Sequence, residues 1–487
     1  MGMQFYVDLH DHITTFPFNV GKRNTEINKM TYRNNKGLGA DTQSDLLKLT
    51  KGGVRVVFAS VCPVETGFMK VRNSEGYISD EGIHRYTGFD EDLINDIQTP
   101  GHSYFNFLKN EINMLASDEG KELSFSESSL KCKYKIVKNY ADLKSFLEID
   151  SDYNVAKRDI KLAKIAVILT IEGVHSFFPR PLEEYTCDFN DMNDEHTKAL
   201  FDIIRTNITS LSANKPFSVT FAHHFYNKLC GQSISFTNII NQFVIQDEHS
   251  TEGFSELGKS IVRELYNQNI IIDVRHLSIP SRKWLYSQDF SRNKPVIVSH
   301  SAVNGCKTMD ESMERNNTHK IAQQKFRDSK VFNNWDINLS DQEIVEIAKR
   351  DGLIGLSLDQ RIIMGKENIR NVKLLSKIPF NRKDAWCKPL YQNAVYIANI
   401  IASNGIDKKK IWDNLSIGSD FDGMINPING FASAEQFPGL EETLVSVFLK
   451  NKKKEPLLKE KSDMEITFIV RKIMCVNAMK FLEKNFI

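Results

Sequence analysis

Eight short apolar runs, spread along 487 residues and mostly separated by helix-like segments, constrain this chain more than any other feature. They fall at 5–9, 54–61, 165–173, 217–224, 270–276, 295–300, 352–358 and 415–423. Runs this short and this uniformly apolar suit strands buried on both faces, and the helices between them supply crossovers for a parallel sheet. Eight such βα units predict an α/β protein, a closed (β/α)8 barrel whose chemistry lies at the C-terminal ends of its strands. The length would also hold two or three average domains, but barrels of this kind grow by loop insertion. We therefore read 1–487 as one domain. Residues 62–164, between the second and third runs, form an insertion too long for a structureless loop, and a helical lid or cap over the barrel mouth is expected.

The residues that close these runs carry the functional signal. His10 and His12 end the first, Glu172 the third, His223 the fourth, His276 the fifth, His300 the sixth and Asp420 the eighth. Strand alternation puts Asp8, His10 and His12 on one face. One histidine at a strand end is more often structural than functional. Six sites converging on one mouth point instead to a metal centre. A histidine-rich set with carboxylates and no cysteine favours zinc, with manganese, iron or cobalt as alternatives. Glu172 lies between the two groups of histidines, where its two oxygens can bridge two ions in a hydrolytic site. His84, His102, His196, His249 and His319 lie away from strand ends and read as surface residues.

Composition excludes several other classes. A net charge of +1 offers nothing for nucleic acid or an anionic membrane, and no apolar stretch is long enough to span one. Seven scattered cysteines without a CxxC pair make a disulfide framework unexpected, and Cys62, Cys230 and Cys306 read as small buried thiols. With no signal-like segment ahead of the first run, a cytoplasmic, soluble protein is the expectation.

The segments Asp8-Leu9-His10, Ile171-Glu172-Gly173-Val174-His175-Ser176, Asp273-Val274-Arg275-His276-Leu277-Ser278, Asn338-Leu339-Ser340-Asp341 and Ile417-Gly418-Ser419-Asp420-Phe421-Asp422-Gly423, in this order, resemble the membrane dipeptidase (renal dipeptidase-like, peptidase M19) family of the amidohydrolase superfamily. The resemblance covers most of the chain outside 62–164, 303–335 and 440–462. It implies a TIM barrel of the metal-dependent hydrolase type and a zinc-dependent dipeptidase that cleaves an amide bond through a metal-bridging hydroxide. Two divalent ions, expected to be Zn2+, would be held by His10, His12 and Glu172 and by Glu172, His276 and His300. Asp420 would hold the nucleophile and shuttle its proton, and His223 would face the substrate carbonyl and stabilise the oxyanion. The partner implied is a dipeptide or similar small molecule, and a homodimer is left open.

Two positions depart from the family pattern. His12 stands where the family has Asp, which removes a negative charge from the first ion's ligands. Ile337 stands where an Arg commonly grips the dipeptide carboxylate, and a lost bidentate clamp is not a conservative change. Arg315, Arg361 and Lys307 are candidates to compensate. Three readings follow: a dipeptidase, an amidohydrolase acting on an acyl-amino acid, lactone or cyclic amide, and a catalytically silent metal-binding barrel. Ile337 favours the second over the first, while His223 and Asp420 argue against the third.

Overall fold

The computed structural model describes residues 3–20, 30–31, 42–70, 72–73, 76–77, 79–155, 162–235, 246, 249–318, 331–377 and 382–487. His319 and the side chain of Arg315 lie outside what is described. Nine strands matter for the site: β1 (Tyr6–Asp11), β2 (Val54–Val61), β3 (Ser128–Ile136), β4 (Leu162–Glu172), β5 (Ser218–Thr220), β6 (Ile271–Asp273), β7 (Ile297–Ser301), β8 (Leu353–Leu356) and β9 (Leu415–Ile417). The hydrogen-bonded order β1-β2-β4-β5-β6-β7-β8-β9 is parallel throughout. The first and last strands meet where the Asp420 amide donates to the His10 carbonyl at 2.9 Å and the His12 amide to Phe421 at 3.0 Å. This is the expected eight-stranded barrel.

The crossovers are helices docked by one apolar face. Glu256–Asn267 is representative: Ser255 caps it by accepting from the Gly258 amide, and Leu257, Ile261, Val262 and Leu265 at helical spacing are fully buried. Inside the barrel, Phe5, Val7, Leu9, Val56, Phe58, Ala166, Ile168, Ile271, Ile297 and Leu353 share one apolar cluster with Met479 and Leu482 of the C-terminal helix Asn477–Asn485. That helix plugs the end of the barrel away from the strand C-termini.

The 62–164 insertion divides into two parts. Its first part carries Val64, Met69, Ile83, Leu93, Ile94, Ile97 and Phe107, which make a separate small core. This part reaches the mouth through Glu65 and Phe68, beside His223. Its second part goes to the other end. β3 pairs with residues 162–167 of β4, on the edge where β5 then takes residues 170–172. Leu143, Leu147 and Val155 join the plugged interior cluster. Strand pairing ties residues 123–136 toward the opposite end, and the first part is the one that lies beside the mouth.

Candidate metal centre

Irregular backbone, not alternation alone, aims the side chains of the site. Phe5, Val7 and Leu9 face the interior, so strict alternation would turn His10 outward. The β1–β2 register breaks between Asp8 and Asp11, and the β7–β8 register breaks between Val298 and Ser301, at the two places where His10 and His300 turn inward. His276 and Asp420 sit at φ 65° and 63°, in the left-handed region. Breaks of this kind are common where a strand end must re-aim a functional group.

The outcome is a buried carboxylate ringed by imidazoles. Glu172 Oε1 lies 3.5 Å from His10, 3.6 Å from His276 and 3.9 Å from His300, each measured to Nε2. Its Oε2 lies 3.1 Å from His12 Nε2 and 3.5 Å from His223 Nε2. Asp420 completes the ring, with Oδ1 3.6 Å from His12 and 3.8 Å from His10, and Oδ2 3.9 Å from His300. All seven predicted site residues, His10, His12, Glu172, His223, His276, His300 and Asp420, are thus brought together. Of the histidines read as surface residues, His196 is exposed, whereas His84 and His102 are half-buried.

A second layer fixes the orientation of these groups. Asp273 accepts from the amides of Arg275 and Ser299 and from the Thr220 hydroxyl, tying β5, β6 and β7 together beneath the ring. Ser299 Oγ meets His300 Nδ1 at 2.9 Å. Glu65 Oε2 lies 2.7 Å from His223 Nδ1, and its other oxygen accepts from the Phe225 amide. Asp8 Oδ1 accepts from the Ser419 amide at 2.8 Å and from the His10 amide, which locks β9 to β1.

Electrostatics fits a cation site. Burial works to raise Glu172, but His223 and His10 outweigh it and hold the carboxyl well below its ordinary value. Burial, reinforced by Arg275 and His223, pushes His276 well below the histidine range, and burial with His10 and Arg275 does the same to His300. A shift in this direction favours the neutral imidazole, the ligating form. His10 and His12 face each other nitrogen to nitrogen at 3.2 Å, and His276 and His300 at 3.3 Å. Nitrogens this close need a shared proton or a cation between them; burial works to lower His12, but Asp420 and Glu172 outweigh it and hold it well above its ordinary value. Groups able to hold one are His10/His12/Glu172, Glu172/His276/His300, His10/His300/Asp420 and Cys62/Glu172/His223.

Three residues gain roles that strand-end reading did not give them. Glu65 stands behind His223 but lies in the insertion, with no motif to mark it. Cys62, read as a buried thiol, is half-buried with Sγ 3.7 Å from His223 Nδ1. Arg275, next to His276, is 3% exposed and its Nη1 donates to the carbonyl of Ile337 at 3.0 Å. The Arg275 guanidinium thus lies beside the backbone of position 337, where the side chain is Ile. Of the compensating candidates, Arg361 is held by Asp359 and the Met424 carbonyl, and Lys307 is exposed.

The fold and the ring of donors define a (β/α)8 barrel with a buried His/Glu/Asp cluster suited to divalent metal. No family model and no curated protein matches the chain. Among solved structures it is similar to a metallopeptidase from Rhodobacter sphaeroides liganded with a phosphinate mimic of the dipeptide L-Ala-D-Ala, at 14% identity and a TM-score of 0.54, covering 100% of both chains. It is also similar to the dipeptidase AC, a metallopeptidase of family M19, at 15% identity and a TM-score of 0.55, covering 100% of this chain and 99% of that one. Both neighbours are metallopeptidases. At such identity the likeness is one of fold.

Proposed function

We propose that the protein is a metal-dependent hydrolase that cleaves an amide bond in a dipeptide or small amino-acid derivative. The observation that carries this reading is the ring of five imidazoles around Glu172 with Asp420 beside it. His10, His12 and Glu172 would hold one divalent ion, and Glu172, His276 and His300 a second, with zinc the ion best suited to the donors. When bound, two such ions acidify water between them and polarise a carbonyl.

The chain's own residues supply the rest. Asp420 takes the proton from the attacking water at its carboxylate and returns it to the leaving nitrogen. His223, with Nδ1 held by Glu65, presents Nε2 to the substrate carbonyl oxygen and stabilises the negative charge developing there. Arg275 places a positive charge near Asp420 and Glu172, with its Nε lacking a hydrogen-bond partner among the described residues. It suits an anionic group on the substrate, such as a carboxylate. Because this guanidinium comes from β6 and not from position 337, the carboxylate would be approached from a different side. That favours acyl-amino acids alongside dipeptides as substrates.

The test is elemental analysis of metal-replete protein followed by a screen of dipeptides and acyl-amino acids. Two ions per chain are expected, with hydrolysis abolished by chelation and restored by metal. One ion or none, or turnover that survives complete chelation, would overturn the reading.

A further inference from the structure

Cys62 follows the last residue of β2, on the inward parity of Val56 and Phe58, so its thiol is turned toward the ring. Its Sγ, a ring nitrogen of His223 and an oxygen of Glu172 all lie within 4.8 Å of one another. Cys62, His223 and the nearby Glu65 are the residue types of a nucleophilic triad, but the geometry rejects one. Both Cys62 Sγ, at 3.7 Å, and Glu65 Oε2, at 2.7 Å, meet the same ring nitrogen, Nδ1. A triad needs the nucleophile on one nitrogen and the carboxylate on the other.

The arrangement fits a ligating imidazole instead. Glu65 fixes Nδ1 and is itself fixed by the Phe225 amide at 3.0 Å, which leaves Nε2 turned toward Glu172 Oε2 at 3.5 Å. Carboxylates placed behind ligating histidines in this way set the tautomer and ring orientation. The two oxygens of Glu172 also divide their neighbours. Oε1 faces His10, His276 and His300, while Oε2 faces His12 and His223, the histidine that the Cys62 sulfur approaches. A thiolate added to imidazole and carboxylate makes this side softer than the rest of the ring.

We infer that Cys62, His223 and Glu172 form a further cation position at the edge of the main cluster, selective for a thiophilic divalent ion such as cadmium or excess zinc. Binding replaces the thiol proton, which passes to solvent, with a sulfur–metal bond, and no electron is transferred. Filling this position takes His223 away from the substrate carbonyl, so an excess of thiophilic ion inhibits. The inhibitory consequence rests on the proposed hydrolase reading, whereas the site itself does not.

Cadmium is the probe. Metal-replete protein is titrated with Cd2+ and the thiolate-to-cadmium charge-transfer absorption is recorded, a signal independent of turnover. The expected result is a saturable band from one additional equivalent. Cys62→Ser abolishes the band, His223→Ala weakens cadmium binding at least tenfold, and Cys187→Ser, which changes the other half-buried cysteine, leaves it intact. Circular dichroism and the ion content of the main cluster establish that each variant is folded. No band in the wild type, a band that survives in Cys62→Ser, or equal cadmium affinity in folded His223→Ala would each overturn the inference. Failure of the hydrolase reading would show separately, as absent turnover with the band intact.

Discussion

Gly418 and Gly355, on neighbouring stretches of the barrel, press against the same carbonyl. An added Cβ at either would lie 1.8 Å from Ser299 O, where real Cβ atoms essentially never come within 3.0 Å. In Gly418→Ala the two backbones must therefore separate by about 1.2 Å, and the next residue after Ser299 is His300. Overpacking of this kind costs roughly 1–3 kcal/mol. At about 2.1 cal/mol/K of unfolding entropy per residue, a chain of this length loses only roughly 1–3 °C in Tm for that cost. The site is far less tolerant, since a displacement of about 1 Å can cost about 100-fold in rate. The expected outcome is a small fall in Tm, selective loss of the ion shared by Glu172, His276 and His300 on dialysis against chelator, and a kcat reduced about 100-fold. Gly439→Ala, whose Cβ meets only Lys383 Nζ at 4.0 Å, is the control. Gly418→Ala with ion retention and kcat within about twofold of wild type would refute the argument that close strand approach positions His300.

Three further outcomes are expected. Asp420→Asn keeps the fold and both ions but loses about 10²–10⁴-fold in turnover; Asp422→Asn instead disturbs the loop whose Gln43 and Ser44 amides it accepts, and steady-state rates with metal content separate the two. Arg275→Met, which removes a charge-assisted contact of about 1.5–3 kcal/mol, raises KM about 10–100-fold for carboxylate-bearing substrates and leaves neutral amides nearly unaffected; equal effects on both classes would remove Arg275 from substrate recognition. Burial pushes Asp336 up from 3.8 to about 7 against the pull of Arg282. The folded state then holds a proton that the unfolded state releases, so stability falls as pH rises from about 4 to about 7. Asp336→Asn should flatten that slope in denaturant titrations at several pH values.

The barrel was legible because its signal is redundant: each apolar run has a helix before or after it, and β-branched residues fill runs such as 54–61. The ring residues were legible because they sit at strand ends. Their aim was not. Alternation put His10 on a common face with Asp8, but the interior is lined by Phe5, Val7 and Leu9, and a register break redirects the histidine. Register is a property of two strands, so one strand's pattern cannot report it. Glu65 and Arg275 were missed for related reasons. Glu65 reaches His223 from 158 positions away, through a segment with no periodic signal. Arg275 reads as an ordinary charged residue until its guanidinium is seen at the Ile337 carbonyl. For the insertion, length shows that a segment must fold, but not which end of the barrel it will pair with.

The seam between β1 and β9 ties the assembly of the site to the order of synthesis. Asp8 and the Ser419 amide that it accepts are 411 residues apart, and His10 is held through its carbonyl by the amide of Asp420. At about 5–20 residues per second, a ribosome exposes the first two histidines roughly 20–80 s before the strand that closes the ring. Until then the end of β1 that carries His10 and His12 lacks the hydrogen bonds that β9 supplies. The β1–β9 seam is therefore the last part of the barrel to form, and a truncated product ending before β9 would lack Asp420 and leave the end of β1, with His10 and His12, without the partner that fixes it.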